Sequence, residues 1–527
     1  MASTDGGPWF YPDRVSVAPG DTVSIHASSS NGPCRLVARR IGSGETLCAE
    51  YPGIQVSDHP IPGGADANGC GWPAAFTFTI GDDWPTGYID LELVDGSGSS
   101  THHFLCCRPS EPRPGRALLV LSTNTYHSYN YWGGANSYAN VDQLAGGLEP
   151  SLARSRAIGR LSRMRPFAQG LLAPPPGAPR LVNMTERPPG EPAIPGDLEW
   201  ILEHAPSAYD GSAGFLQKWE HRFVEWAEDN GYDFDFACDH DFEAPGGARL
   251  DRYGTVVLVG HSEYWSSKQR DQLEEFVDRG GNLAIFGGNT AYWKVRWEHD
   301  ARTLVAHKWN GETDDELWST AGPDSEATHL WSHPAFGRPE AELTGLSFIY
   351  GGYHRLAMCV ARGSGAYTIY RPDHWALQGS DLYYGDQLGA GVPLLGYEND
   401  GCPIRFEHGL PFPDGGVGVP DNLEIIGIAP AALLEPPDNP FGEVVPPEDP
   451  ETLARIAYGR SDRVGIERLN RGNVVMASFG RGAGQVFNVG ATEWAHGLAA
   501  GDPFVAVITK NVLDRFLGRR REPHPGG

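Results

Sequence analysis

The first hundred residues consist of short segments in which apolar and polar positions alternate. In segment 22–26, Val23 and Ile25 fall on one face. The same period of two recurs between Gly, Asn and Pro breaks in segments 15–17, 35–41, 75–80, 88–94 and 103–107. Several short strands at this spacing are typical of a sandwich. The pattern predicts an all-β, immunoglobulin-like sandwich over residues 1–110, followed by a linker at 110–115.

After the linker the pattern changes. Segments 117–122, 255–259 and 283–286 are continuous apolar runs, as in strands that are covered on both faces. Segments 218–230 and 267–279 have helical periodicity, and Ser266 is the predicted N-cap of the second helix. This alternation predicts an α/β domain over residues 116–520 with a parallel sheet and helices on both faces.

The remaining elements of this domain are less regular. Further strands are predicted at 232–238, 393–395, 473–478 and 485–489, and a last helix at 502–517. Segments 165–200 and 410–450 are rich in proline, and we expect them to be surface excursions from the sheet.

Composition narrows the classes of function. The chain has 527 residues and a formal net charge of -26, so it should repel nucleic acids and anionic membrane surfaces. No apolar run is long enough for a transmembrane helix, and the first residues do not resemble a secretory signal, so a cytoplasmic location is expected. The eight cysteines contain no CxxC pair, which excludes a zinc ribbon. Disulfides are not expected, although Cys34, Cys48 and Cys70 are close enough in sequence for one bridge.

Candidate chemistry lies beyond the carboxyl ends of the predicted strands, where open parallel sheets bind their ligands. Four polar, aromatic loops follow strands there, at 123–138, 260–265, 287–290 and 396–401. The first contains four tyrosines, which could equally form a packed aromatic wall. The second contains His261 and Glu263, which could be metal ligands, an acid/base pair, or a satisfied histidine beside a capping carboxylate.

A serine nucleophile is a weaker interpretation of the second loop. The strained nucleophile elbow requires small residues on both sides of its serine, as in G-x-S-x-G. Ser262 follows Gly260 at the right spacing, but Tyr264 stands where the second glycine is needed. A metal-free hydrolase that uses Ser262 or a carboxylate therefore remains an alternative.

The loop sequences together resemble one known family. They read Tyr-His-Ser-Tyr-Asn-Tyr-Trp-Gly-Gly-Ala-Asn-Ser-Tyr at 126–138, Gly-His-Ser-Glu-Tyr-Trp at 260–265, Phe-Gly-Gly-Asn-Thr at 286–290 and Gly-Tyr-Glu-Asn-Asp-Gly at 396–401. These motifs resemble the N,N-dimethylformamidase large (beta) subunit family over about residues 116–517, and the preceding sandwich is similar to the N-terminal β domain of that family. The resemblance implies a flavodoxin-like, class I glutamine-amidotransferase-like catalytic fold.

The resemblance also implies an amidohydrolase with one iron ion, held by two tyrosine phenolates and one glutamate. Carried over by motif, Glu263 is the expected carboxylate ligand, and Tyr129 and Tyr138 are the expected phenolates. Tyr126 and Tyr131 are close competitors. Two phenolates and a carboxylate sum to -3, which matches Fe³⁺, and hard anionic oxygens suit that ion.

Three further residues are expected to line this site. Glu398 is the candidate general base and later acid, and His261 and Asn289 are expected to orient water or to stabilise the oxyanion. The implied function is hydrolysis of a small, formamide-like C–N bond, with Fe(III) as the Lewis acid that activates water and the substrate carbonyl.

The chain departs from the known enzyme of this family in two ways, and a function without catalysis is also considered. The known enzyme pairs its large subunit with a small helical one, and that large subunit carries an additional β domain, for which the short linker leaves no room. A homo-oligomer and a small-subunit partner therefore both stay open. The rival to an enzyme is a non-catalytic module that binds carbohydrate or protein, with Trp132 and the tyrosines as a platform for a sugar.

Overall fold

The computed structural model describes residues 7–138, 159–173, 184–185, 194–195, 214–216, 218–245, 247–356, 359–360, 365–392, 394–434 and 449–519. The chain is a mixed, sheet-rich α and β protein. None of the helices in these ranges is long and apolar enough to cross a lipid bilayer.

Two antiparallel-rich sheets form the N-terminal region. One contains, in spatial order, Trp9–Pro12, Thr22–Ser28 and Ala74–Thr79. The other contains Ser16–Val17, Ser100–Cys107, Gly87–Val94, Cys34–Ile41 and Glu45–Ile54. Alternating residues such as Val23, Leu36 and Leu91 pack into one buried apolar cluster. The predicted strands of this region are therefore present.

Two strands of this region escaped the alternation pattern. Trp9–Pro12 is buried at all of its positions, so it has no polar face. Glu45–Ile54 is largely exposed, and only Ile54 at its end is fully buried. Cys34, Cys48 and Cys70 are free thiols in the described part of the chain, so the one disulfide left open by their spacing is not formed.

A nine-stranded sheet forms the larger region. Its spatial order is Phe234–Cys238, Ala117–Leu121, Thr255–Gly260, Asn282–Gly287, Gly484–Asn488, Gly472–Arg481, Glu424–Ala431, Tyr367–Ile369 and Gln387–Leu388. The first five strands are parallel, in chain order 2-1-3-4-5, and the other four join antiparallel. The predicted parallel sheet is thus found in the first five strands, and the antiparallel second half was not predicted. Gly472–Arg481 and Gly484–Asn488 are joined by a tight turn, which can connect only antiparallel neighbours.

Helices flank these sheets. They are Ala65–Asn68, Thr123–Tyr129, Glu220–Asp229, Ser267–Asp278, Gly311–Asp314, Ala341–Thr344, Pro450–Tyr458, Arg463–Leu469, Trp494–Ala499 and Pro503–Phe516. The Ser266 hydroxyl accepts the Gln269 N–H at 3.2 Å, so it caps its helix as predicted. Asp502 likewise accepts two backbone N–H groups at the start of the last helix.

Smaller sheets complete the structure. One contains Arg160–Ser162, Thr303–Val305, Trp293–Glu298 and Tyr264–Ser266, with His329–Leu330 also paired to Trp293–Glu298. The two-stranded pairs are Met184–Thr185 with Ile194–Pro195, Ser347–Gly352 with Asn399–Gly401, Arg355–Leu356 with Cys359–Val360, and Ile404–Glu407 with Leu410–Pro413.

Three predictions about the α/β region are wrong. Residues 394–395 form no strand, because Leu394 and Leu395 are buried without pairing. Residues 165–173 are mostly buried rather than a surface excursion. Segment 410–434 is not only a surface excursion, because it contains Glu424–Ala431, a strand of the nine-stranded sheet. The apolar residues of this strand are flanked by proline and glycine, which hid it from the sequence pattern. The rest of both predicted excursions lies outside the described residues, except for the short strands at 184–185 and 194–195 and for residues 449–450, where a helix begins.

Candidate active site

The candidate site lies at the edge of the sheet where the strand order reverses. Ala117–Leu121 and Thr255–Gly260 are parallel neighbours, first and third in chain order among the parallel strands. Connections leave such a pair in opposite directions, which opens a crevice beyond the carboxyl ends of the strands. The helix Thr123–Tyr129 follows the first strand, and His261 to Glu263 follow the other.

Three oxygen-bearing side chains from these connections meet in the crevice. Tyr138 Oη donates to the Glu263 carboxylate, at 2.8 Å from Oε1 and 2.9 Å from Oε2. Tyr129 Oη lies 3.3 Å from Glu263 Oε2 and 3.2 Å from Tyr138 Oη. We call Tyr129, Tyr138 and Glu263 the oxygen cluster. These are the residues that the sequence predicted as metal ligands, and that role stays a prediction.

Local structure places each member of the cluster. Tyr129 ends the helix Thr123–Tyr129, a segment that was expected to be a loop. Asn136 joins the two tyrosines, because its Nδ2 donates to the Tyr129 carbonyl at 3.1 Å and its Oδ1 accepts the Tyr138 N–H at 2.8 Å. The Glu263 N–H donates to Thr125 Oγ1 at 3.2 Å, which ties the second loop to the same helix.

The two competing tyrosines have other surroundings. Tyr126 Oη donates to Glu220 Oε2, at the start of another helix. Tyr131 packs in an aromatic cluster with Trp9, Tyr11 and other residues of the N-terminal region. The structure therefore brings Tyr129 and Tyr138, and neither competitor, to Glu263.

Three residues that sequence reasoning missed surround the cluster. Trp293 Nε1 donates to Glu263 Oε1 at 2.7 Å, and Tyr264 Oη donates to Tyr138 Oη at 2.7 Å. Lys308 Nζ lies 3.1 Å from the centroid of the Tyr138 ring and donates to Tyr264 Oη at 3.3 Å. Tyr264 stands in the loop already singled out and begins the strand that pairs with Trp293 in the small sheet. Lys308 lies in the turn after that sheet, and no motif marked Trp293 or Lys308.

The three predicted acid/base and orienting residues form a second layer. His261 Nε2 lies 2.5 Å from Glu398 Oε2 and 3.2 Å from Glu263 Oε2, although neither contact is aligned as a hydrogen bond. Asn289 Nδ2 donates to Glu398 Oε2 at 3.2 Å. His261 thus stands between the oxygen cluster and Glu398, and all the predicted site residues lie in one continuous group.

Backbone geometry fixes Asn289 and Glu398 against each other. A Cβ on Gly288 would lie 2.5 Å from the Glu398 carbonyl oxygen, so the close approach requires glycine. Asn289 has φ +50°, and the buried Asp400 carboxylate accepts its N–H at 3.0 Å. Asp400 belongs to the strand Asn399–Gly401, which explains how the fourth loop reaches the site without following a parallel strand.

Burial and charge set the protonation of this group. Burial, followed by the Glu263 charge, raises the pKa values of the Tyr129 and Tyr138 phenols well above their usual range. Burial would lower the pKa of His261, but the Glu398 and Glu263 carboxylates raise it to about 10. Burial likewise opposes ionisation of Glu263, yet His261 and Lys308 hold the pKa of its carboxyl below the usual range. Two neutral phenols therefore face one carboxylate and an imidazolium.

Several buried polar atoms at the site make no hydrogen bond within the described residues. Asn289 Oδ1 and His261 Nδ1 are buried and make no hydrogen bond. Buried polar atoms are normally satisfied by protein, water or ligand. A polar ligand or water in the crevice would satisfy them.

Two rival interpretations fit the structure less well. Ser262 Oγ accepts the Trp265 indole N–H at 2.9 Å, and no base contacts it within the described part of the chain. Trp132 is fully buried against Trp9 and Trp72, at ring-centroid distances of 5.8 and 5.9 Å. Trp132 therefore offers no exposed face to a sugar.

A second group of potential metal ligands lies outside the crevice. Glu312, His329 and His333 each place a ligand atom within 4.8 Å of the others. Both histidines accept a backbone N–H at Nδ1, from Leu330 and Ala335, which leaves the ring proton on Nε2. His333 Nε2 then donates to Glu312 Oε1 at 3.1 Å. With the proton on Nε2, neither histidine has a free Nε2 lone pair for a metal.

Comparison with known proteins assigns the chain to a family. The profile of the family described as "N,N-dimethylformamidase beta subunit-like, C-terminal" matches residues 37–507. The chain belongs to this family. The match begins inside the strand Cys34–Ile41, well before the residue near 116 at which the motifs placed the start of the resemblance.

Two curated relatives have the same name, N,N-dimethylformamidase beta subunit. The relative from Alcaligenes sp is 25% identical over 331 residues, which are 59% of this chain and 38% of that protein. The relative from Paracoccus aminophilus is 24% identical over 488 residues, which are 86% of this chain and 55% of that protein. The chain thus spans about half the length of the second relative and less of the first.

Proposed function

We propose that this chain is an iron-dependent amidohydrolase that cleaves a small, formamide-like C–N bond. The observation that carries the proposal is the oxygen cluster, in which two phenols and a carboxylate from separate connections converge in a buried crevice with contacts of 2.8 to 3.3 Å. Membership of the dimethylformamidase beta subunit family supports it.

The residues present fit a trivalent ion. Two phenol oxygens and one carboxylate are hard donors that carry three negative charges when ionised, which suits such an ion. The phenol pKa values are raised by burial, so the protons leave only if a strong cation replaces them. Tyr129, Tyr138 and Glu263 would hold the iron. Bound iron would supply Lewis-acid chemistry that polarises the substrate carbonyl and acidifies water.

The remaining side chains of the site have different roles in proton transfer. His261 Nε2 lies between the Glu398 and Glu263 carboxylates, which favour its protonated form, so His261 would orient water or stabilise the oxyanion. Glu398, 2.5 Å from His261 Nε2, is the group left to take a proton from the attacking water and to return it to the leaving amine. The Asn289 amide, whose Nδ2 holds Glu398, orients that carboxylate and leaves its Oδ1 to accept from water.

The finer assignments belong to the same proposal. The strand order 2-1-3-4-5 supports a flavodoxin-like, glutamine-amidotransferase-like catalytic fold, and the two facing sheets before it support an immunoglobulin-like sandwich. The relatives are named as subunits, which supports a partner subunit or a homo-oligomer. The net charge of -26 argues against nucleic acid or a membrane as the partner, in keeping with a cytoplasmic location.

Tyr138→Phe with Tyr131→Phe as its control tests the proposal. Both tyrosines lie beyond the same helix, but only Tyr138 touches Glu263. Iron-grown wild-type protein and Tyr131→Phe should contain iron, show a broad visible phenolate band and release amine from small formamides. Tyr138→Phe should lose most of the band and of the amine release. A folded wild-type protein that is colourless after iron loading would refute the proposal.

A further inference from the structure

The segment between the two cluster tyrosines, residues 130–137, is buried but irregular. We call it the tyrosine loop. All of its residues except the half-buried Gly133 are buried, and beyond one turn bond its backbone makes few regular hydrogen bonds. Buried carbonyl groups outside helices and sheets need donors from elsewhere. The position of both phenols therefore depends on what satisfies this loop.

Arg165 supplies those donors. Its side chain is 1% exposed, and its Nη1 donates to the carbonyls of Trp132 and Ala135, the latter at 3.2 Å. Its Nη2 donates to the Asn130 carbonyl at 2.7 Å. Its Nε donates to the Ser162 carbonyl at 3.0 Å, which fixes the guanidinium to its own segment. One planar fork thus holds three carbonyls of the loop.

No carboxylate neutralises Arg165 at ion-pair distance within the described residues. A buried cation is costly unless it is hydrogen-bonded, and here the carbonyl dipoles of the loop provide that compensation. The guanidinium and the loop therefore stabilise each other only in the observed loop conformation. Asn136, which bonds the backbones of Tyr129 and Tyr138, closes the same loop at its ends.

We propose that Arg165 is a positioning residue that holds the tyrosine loop so that the Tyr129 and Tyr138 oxygens stand ready for the iron ion. This inference rests on the proposed function, because it assigns the residue that prepares the same metal site. Residues that orient metal ligands through hydrogen bonds typically change metal affinity by about 10- to 100-fold when they are replaced. The expected loss for Arg165→Met is in that range.

Arg163 provides a matched control two residues away. Its guanidinium is also buried and also donates to backbone carbonyls, from Nε to Ala301 at 2.5 Å and from Nη1 to Asp13 at 3.0 Å. Neither carbonyl belongs to the tyrosine loop. Arg163→Met and Arg165→Met therefore remove the same chemical group at similar burial, and they differ in whether the loop loses its donors.

The experiment compares both variants with wild type in two ways. Amide hydrogen exchange of iron-free protein should be faster over residues 130–137 in Arg165→Met alone. Chelator competition should give an iron dissociation constant raised by about 10- to 100-fold in Arg165→Met and little changed in Arg163→Met. If Arg165→Met does not fold, Arg165→Lys takes its place, because an ammonium group cannot span all three carbonyls.

The outcomes separate the two proposals. Equal exchange rates over 130–137 and equal iron affinity in the Arg163 and Arg165 variants would overturn the positioning role. A wild-type protein that binds no iron would instead refute the proposed function, while the exchange comparison would still decide whether Arg165 holds the loop.

Discussion

Glu220→Gln should change how the stability of this protein depends on pH. Glu220 is 4% exposed, and its carboxylate accepts the Ser122 N–H at 2.9 Å and the Tyr126 hydroxyl. These contacts anchor the helix that presents Tyr129 to the site. Burial nevertheless outweighs both donors and raises the pKa of Glu220 from 4.5 to about 7.

The direction and the size of the change in stability with pH follow from this pKa. The folded state keeps a proton on Glu220 at pH values where the unfolded chain has lost it, so stability falls as pH rises from about 4.5 to 7. The difference between the two pKa values corresponds to about 3 kcal/mol. Glutamine cannot ionise, so the variant should match wild type below about pH 4.5 and become more stable than it by up to about 3 kcal/mol near pH 8.

Urea unfolding in steps between about pH 4 and pH 8 measures this effect. Asp229→Asn, at an exposed position of the same helix, is the control and should not alter the slope. Burial also raises the pKa values of Asp239, Glu340 and Asp400, so part of the slope should remain in Glu220→Gln. A variant whose stability runs parallel to wild type over the whole range would refute the reasoning.

Three further predictions concern single contacts. Glu398→Gln should lower kcat by about 10²- to 10⁴-fold while iron content is retained. An unchanged kcat would show that Glu398 takes no part in proton transfer. Trp293→Phe removes the N–H donated to Glu263 at 2.7 Å and should cost about 1.5–3 kcal/mol in urea unfolding, whereas an unaltered free energy of unfolding would show that water replaces this donor. Ser266→Ala should lower the free energy of unfolding by about 1 kcal/mol, because the helix loses its N-cap, and should not change the iron content. A loss of iron would contradict a purely structural role for Ser266.

The positions of the strand-end loops could be predicted because they depend on local patterns. Continuous apolar runs such as Thr255–Gly260 mark strands covered on both faces, and the residue after each run must lie at the carboxyl edge of the sheet. Glu263 and Asn289 therefore reach the crevice as predicted. The roles of these residues were inferred from the family motifs and not from the pattern.

Other parts of the site depend on long-range packing that no local pattern contains. Lys308 and Trp293 reach the cluster from the small sheet and the turn after it, and Lys308 is 44 residues from its partner Tyr264 along the chain. Leu394 and Leu395 resemble a strand because burial produces the same apolar run whether or not the backbone pairs. Segment 123–129 was rich in aromatic and polar residues, which hid a helix whose side chains are all buried.

Anomalous diffraction at the iron absorption edge, from crystals of iron-loaded protein, tests the central claim most directly. The account predicts a single strong peak in contact with Tyr129 Oη, Tyr138 Oη and the Glu263 carboxylate. Iron-replete crystals with no peak at these three oxygens, or with Glu263 turned away from both phenols, would contradict it.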